Sequence, residues 1–279
     1  MLIFRKVIKK ILKLIYLKFS ECQKQKAIHY YKLASSIHKN FIVSIIMHFM
    51  KNKKIENINL FEQRFYSQNG EDGIIKIIFD KIKTTNKFCV EFGIQSIEGN
   101  TIYLQKKGWN CLWMDGNGDG KIIKKEYITA ENINFLFKKY NVPKEFDLLS
   151  IDIDSNDYWV WKAVLGYSPC VVIIEYNATI PLTENKTVKY DPELHWDGTN
   201  YFGASLLALE TLGKSKGYTL IACDNAGVNA FFVRTDLIKN NFKIKKIEEI
   251  YKPPKYGKKI NGKYIGYPFS NKSMISVKI

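Results

Sequence analysis

No apolar stretch in this 279-residue sequence is long enough to cross a bilayer. The longest uncharged one, residues 41–50, has half of the ~20 residues that a spanning helix needs. The five cysteines, Cys22, Cys89, Cys111, Cys170 and Cys223, show no C-x-x-C spacing, which argues against a structural zinc site. Four of them fall in runs that read as strands, where cysteine acts as a small buried hydrophobe, so inert reduced thiols are expected. No signal peptide is legible, because lysines interrupt the first apolar run every three or four residues. The glycosylation sequons at Asn177 and Asn185 therefore carry no weight. There is no repeat and no low-complexity tract. Histidine is scarce, and His29, His38 and His48 account for three of the four. These absences exclude a membrane-spanning protein, a zinc-finger module and a disulfide scaffold, and they point to a cytoplasmic globular protein.

What is present is a composition of 46% hydrophobic and 14% aromatic residues, enough for a large core and against extensive disorder. The formal charge of +16 is uneven. Residues 1–57 carry 13 Lys and Arg against two Glu, a net +11, so the other 222 residues hold only +5. The basic character belongs to an extension, and a nucleic-acid-binding main domain is not expected. The chain accordingly divides into a basic helical extension, 1–57, and a main α/β domain, 58–279. Over residues 1–20, Leu2, Ile3, Val7, Ile11, Leu14, Ile15 and Leu17 form a helical stripe opposite five lysines. Two readings stay open: peripheral contact with an anionic membrane surface, or docking on the chain's own domain or on a second subunit as a homo-oligomer.

The main domain is organised around residues 87–120. Phe88-Cys89-Val90-Glu91-Phe92 is β-prone and ends in Gly93; a helix-compatible run covers 100–107; Cys111-Leu112-Trp113-Met114 then ends in Asp115. Strand, glycine turn, helix and second strand with a terminal carboxylate form the opening unit of a nucleotide-binding sheet, with Asp115 placed to accept ribose hydroxyls. Upstream, Tyr66-Ser67-Gln68-Asn69-Gly70-Glu71 has a turn composition and leads into a helix over 74–82, so Gln68 and Glu71 either cap that helix or reach the ligand. Downstream, Tyr127-Ile128-Thr129 reads as a weak third strand and 130–140 as a helix. Residues 146–154 are a strong fourth strand ending in Asp152 and Asp154, followed by a helix over 158–165. Residues 170–175 are an apolar strand buried on both faces and ending in Glu175. Residues 199–215 are expected to form another helix, closed by Gly217. The β-runs 218–223 and 230–234 are too close for a crossover helix and must form an antiparallel hairpin. The expected fold is a doubly wound, seven-stranded, mostly parallel sheet with an antiparallel terminal hairpin.

Residues 66–236 resemble the class I S-adenosylmethionine-dependent methyltransferases, and are closest to the FkbM-like and macrocin-type sugar O-methyltransferases of antibiotic and surface-polysaccharide biosynthesis. The resemblance is carried by Val90-Glu91-Phe92-Gly93, by Asp115 and by Ile151-Asp152-Ile153-Asp154. It implies that Glu91 and Gly93 lie beside the methionine end of the cofactor, that Asp115 binds the ribose, that Thr129 to Glu131 read the adenine, and that Asp152 lies beside the sulfonium. The usual G-x-G is Gly93-Ile94-Gln95 here, with the next glycine at Gly99, which implies a wider loop in which Ser96 and Asn100 contact the cofactor. The acceptor implied is a sugar, a nucleotide sugar or a glycan.

An alcohol is a poor nucleophile, so a base, a metal or both are expected. Asp152, Asp154 and Glu175, at the C-terminal ends of adjacent strands, are hard oxygen donors suited to Mg²⁺. The structural alternative is that Asp154 and Asp157 cap the following helix. His195, in the long polar insertion 190–202, is the candidate base, with Asp154 and Asp152 as catalytic carboxylates. Tyr190, Trp196, Tyr201 and Asn177 are candidates for a carbohydrate-binding wall, the alternative being ordinary packing. Asp152-Ile153-Asp154 is also a D-x-D, so a metal-dependent nucleotide-sugar glycosyltransferase is the rival enzyme reading, and a non-catalytic adaptor on the same fold is the third.

Overall fold

The structure, a computed structural model, describes residues 54–94 and 98–278. The segment 1–20, for which a basic helix is expected, and Ser96 lie outside the described residues.

Parallel strands β1 (Phe88–Phe92), β2 (Asn110–Asp115), β3 (Ile123–Lys125), β4 (Glu145–Ile151) and β5 (Ser168–Glu175) alternate with helices α1 (Glu71–Ile82), α2 (Ile102–Lys106), α3 (Ile133–Lys139) and α4 (Asp157–Ala163). After a short strand β6 (Lys186–Thr187) and helix α5 (Leu206–Ser215), the hairpin β7 (Tyr218–Cys223) and β8 (Asn229–Arg234) completes the sheet. The order is β3-β2-β1-β4-β5-β8-β7, with β8 antiparallel to both β5 and β7. The chain then forms two short helices, α6 (Thr235–Ile238) and α7 (Ile247–Ile250), and the strands β9 (Lys259–Ile260), β10 (Lys263–Tyr264) and β11 (Ile275–Ser276), the last pairing with β6.

The core follows from the apolar runs. Pro169 to Ile174 of β5 are all buried, so both faces of the central sheet are covered. Trp161 of α4 packs against Phe232 of β8, with ring centroids 4.9 Å apart. Gly213 of α5 closes this contact: a Cβ there would lie 2.8 Å from the Phe232 ring. Asp147, fully buried in β4, accepts the backbone N–H groups of Thr85, Asn86 and Lys87 and so fixes the entry to β1.

Four expectations are corrected. The third strand forms at Ile123–Lys125, not at 127–129. Asp119 accepts from the N–H groups of Lys121 and Ile123, turning the chain early and bringing Ile123 opposite Trp113. Asn132 meanwhile ties residues 127 and 129 into the entry of α3. Helix α1 starts at Glu71, ahead of Ile74. Helix α5 starts only at Leu206, capped by the Ser205 hydroxyl, which accepts from the Ala208 N–H at 3.1 Å. Lastly, the cysteines are not all free thiols. Cys89 and Cys111 stand opposite each other in the β1–β2 register, with Cα atoms 4.7 Å apart, and form a disulfide; Cys170 and Cys223 are buried and free. For that pair, the cysteine argument for a reducing compartment does not hold. Ile55 is buried and bridges to Phe242, so the main body already includes residues just before position 58. Among the described residues, no helix is long and apolar enough to cross a membrane.

Candidate active site

The C-terminal ends of β1, β4 and β5 deliver Gly93, Asp152 and Glu175 to one edge of the sheet, where open α/β sheets bind ligands. Gly93 sits at φ +75°, and a Cβ added there would come within 1.5 Å of the Asp152 carbonyl oxygen. Only glycine permits this approach of two strand ends.

Two cavities meet over that point. One, about 450 Å³, is lined by Asp115, Tyr127, Ile128, Asn156 and His195. The other, about 250 Å³, is lined by Gln68, Asn100, Glu175, Asn229, Tyr256 and Tyr267 among others. Gly93, Asp152 and Asp154 line both. Each cavity has the scale of a small-molecule site or a part of one.

The loops around them are shaped by carboxylates that point inward at the backbone. Asp72 accepts the N–H groups of Phe65, Tyr66 and Ser67, folding the turn that presents Gln68. Asp157, the first residue of α4, accepts from Ile153 at 2.9 Å and Ser155 at 3.1 Å, and it holds the loop in which Asp154 adopts a left-handed φ of 60°. A non-glycine residue in that region is costly and is tolerated at sites where the side chain must be aimed. So Asp157 fixes the loop ahead of α4 and does not cap the helix, whose N-cap residue Asn156 makes no side-chain cap bond, whereas Asp154 lines both cavities.

Asp152, Asp154 and Glu175 offer oxygen atoms that all lie within 4.8 Å of one another. Burial, then the charge of its neighbour Asp154, pushes the Asp152 carboxyl well above the usual range. Burial and the Asp152 charge do the same for Glu175. Desolvation in the cleft, then the charge of Asp115, raises Asp154. Burial raises Asp157 to about 6. Glu175 Oε2 is buried with no hydrogen-bond partner. Hard donors, mutual repulsion and an unanswered oxygen are what a cation site requires, so the three residues fit Mg²⁺.

Other expected site residues are placed as follows. Glu91 lines the acidic cavity, but both its oxygens are engaged, accepting from the N–H groups of Asn100 (2.6 Å) and Thr101 (2.9 Å) and from the Thr101 hydroxyl. It shapes the turn after β1. Glu71 accepts from Asn69 and from Asn229. Asn100 donates its side-chain amide to Ser150. Thr129 lines neither cavity and bonds reciprocally with Asn132; Tyr127 and Ile128 stand where it was expected. His195 lies on the Asp115 side, 5.4 Å ring to ring from Tyr127, and does not line the acidic cavity. Tyr190 is engaged with Glu131 and Ala130, and Asn177 is fully buried, donating to the carbonyls of Asn200 and Phe202. Tyr201 is buried and lines neither of the two cavities. Of the expected aromatic wall, Trp196 lines the Asp115 side.

Sequence reasoning missed Tyr256 and Tyr267, whose rings lie 5.1 Å apart, with Trp196 4.6 Å from Tyr267. Their signal was the pair Tyr256-Gly257 and Gly266-Tyr267. Gly257 and Gly266 both have positive φ and bridge to each other, and a Cβ on Gly257 would fall 2.1 Å from the Gly266 carbonyl.

No protein-family model matches this chain, and no curated protein matches it.

Proposed function

We propose that this protein is an S-adenosylmethionine-dependent O-methyltransferase acting on a sugar hydroxyl. One observation carries the reading. Two cavities share Gly93, Asp152 and Asp154 at the strand ends, one extending to Asp115 at the end of the adjacent strand and the other into an acidic pocket. The antiparallel β8 between β5 and β7 supports it, since a dinucleotide dehydrogenase would continue with parallel strands.

In this reading the Asp115 carboxylate accepts the ribose hydroxyls, with Tyr127 and Ile128 against the adenine. The methionine end passes over Gly93 toward Gln68 and Asn100. The sulfonium then lies near Asp152, and its positive charge would favour the ionised form of that carboxyl. The acceptor hydroxyl enters from the Glu175, Tyr256 and Tyr267 side, in line with the methyl group. Asp154 lines both cavities and takes the hydroxyl proton. Its raised pKa brings it closer to neutrality, where a base is most effective. His195, at the cofactor side, borders the adenosine rather than the reacting oxygen. In the alternative arrangement Asp152, Asp154 and Glu175 would together hold Mg²⁺, which would supply positive charge that lowers the pKa of a nearby sugar hydroxyl; Asp154 would then be a ligand and not the base.

The D-x-D of Asp152 and Asp154, gathered with Glu175, keeps a nucleotide-sugar glycosyltransferase as the second reading. Thermal shift separates the two. S-adenosylhomocysteine should raise the Tm, and UDP-glucose with Mn²⁺ should not. The reverse pattern would reject methyl transfer.

A further inference from the structure

The acidic cavity extends beyond the cofactor residues, and its far end is chemically one-sided. Six carboxylates line the cavity, Glu71, Glu91, Glu98, Asp152, Asp154 and Glu175, and no Lys, Arg or His lines it among the described residues. Glu98 is paired with Arg64 at 2.7 Å, and Glu91 is spent on the backbone, as above. At the far end three lining atoms are buried without partners: the acceptors Glu175 Oε2 and Asn229 Oδ1, and the Tyr256 hydroxyl, which can donate or accept.

Asn229 is 3% exposed, and its orientation is fixed. Its side-chain amide donates to Glu71 at 3.0 Å, which leaves the carbonyl oxygen as the free atom. Its backbone N–H is held by Asp224, which also accepts from Ala226 and Val228 in the hairpin turn. A buried acceptor without a protein donor is destabilising unless water or a ligand supplies one.

The proposed cofactor path crosses the sheet at Gly93, to one side of these atoms. Glu175 ends β5, two strands from Gly93, and Asn229 begins β8, three strands away. At about 4.8 Å per strand, that places them about 10 and 14 Å across the sheet.

A hydroxyl brings one donor and two lone pairs, and the lone pairs would face the carboxylates. A carboxylate or phosphate brings acceptors only and is repelled. A protonated amine brings three donors, no acceptor and a positive charge, and it gains from aromatic neighbours such as Tyr256 and Tyr267.

We propose that, in the metal-free protein, the Glu175–Asn229 end of this cavity is a subsite for a protonated amino group of the acceptor, so that the acceptor is an amino sugar rather than a uronic acid or a sugar phosphate. This rests on the methyltransferase reading for the identity of the ligand as an acceptor.

Three probes of one ring size and different charge test it: D-glucosamine, D-glucose and D-glucuronate. Each is titrated by ligand-observed NMR into the full-length protein, with EDTA present throughout, with and without saturating S-adenosylhomocysteine. Glucosamine is expected to bind at least ~10-fold more tightly than glucose, and glucuronate the most weakly. Glu175→Gln and Asn229→Leu should each bring the glucosamine advantage below about threefold, with unchanged affinity for S-adenosylhomocysteine reporting an intact fold. Equal binding of the three sugars, no binding of any, a preference for glucuronate, or an advantage that survives both substitutions would overturn the proposal. Should glucosamine be preferred while S-adenosylhomocysteine does not bind, the amine subsite stands and the methyltransferase reading fails.

Discussion

Replacing Gly93 by alanine perturbs the point where both cavities meet. The added Cβ would lie 1.5 Å from the Asp152 carbonyl oxygen, and that oxygen belongs to the backbone, so no side-chain rotation relieves the overlap. An ordinary carbon–oxygen contact requires the ends of β1 and β4 to part by about 2 Å. The φ of +75° adds about 1 kcal/mol for a residue that carries a Cβ. Relaxation absorbs part of the overlap, so a total loss of about 3 kcal/mol is expected, within the usual range for a severe core substitution. That corresponds to a fall in Tm of about 6–12 °C. The binding consequence is larger than stability alone implies, because Asp152 and Gly93 line both cavities, and a misplacement of about 1 Å at a reacting centre costs on the order of 10²-fold. Differential scanning fluorimetry and titration with S-adenosylhomocysteine measure the two effects. A Gly93→Ala protein with unchanged Tm and an affinity within about threefold of the parent would refute the strand-approach reasoning.

The disulfide between Cys89 and Cys111 closes a 22-residue separation, so Cys111→Ser or full reduction should cost about 3 kcal/mol in guanidinium unfolding; coincident curves with and without reductant would contradict it. The buried acids give a pH dependence with a definite sign. Asp152 and Glu175 are raised, Asp157 is raised to about 6 and Asp224 to about 7, so the native state binds protons that the unfolded chain releases above about pH 4. Their contribution is fully present below the unfolded pKa and is lost as pH rises through the folded values. The ligand-free protein should therefore lose Tm between about pH 5 and 7, and Mg²⁺ should restore part of it; a Tm that rises over that interval would contradict the assignment. Asp154→Asn should lower the methyl-transfer rate by ~10²–10⁴-fold with cofactor affinity retained, and His195→Ala should lower it less. The opposite ranking would move the base to the insertion.

The sheet was legible because its signals are strong and local. The all-apolar β5, the glycine and carboxylate at the ends of β1 and β2, and a hairpin connection too short for a crossover admit few topologies. Element boundaries were less legible where side chains bind nearby backbone. Asp119 and Asn132 move the third strand, Ser205 sets the start of α5, and nothing in the apolar pattern encodes those bonds. The clustering of Asp152, Asp154 and Glu175 followed from the sheet. The inward spending of Glu91 and Asn177 did not, since an accepting or donating side chain looks the same in sequence whether its partner is ligand or backbone. The cysteine expectation failed because pairing depends on register: Cys89 and Cys111 are 22 residues apart in the chain and directly opposite in the sheet. The aromatic residues that line the acidic cavity, Tyr256 and Tyr267, were missed because a segment distant in sequence returns over the strand ends through the Gly257–Gly266 bridge.

The central claim is that Asp115 and Gly93 hold S-adenosylmethionine across the strand ends, and calorimetric titration with S-adenosylhomocysteine tests it most directly. The parent protein should bind one equivalent with micromolar affinity, and Asp115→Ala, which removes the proposed acceptor for the ribose hydroxyls together with the Asn117 N–H contact, should weaken binding by at least ~10²-fold with only a small fall in Tm. Undetectable binding to the parent protein, or binding that Asp115→Ala leaves intact, would contradict it.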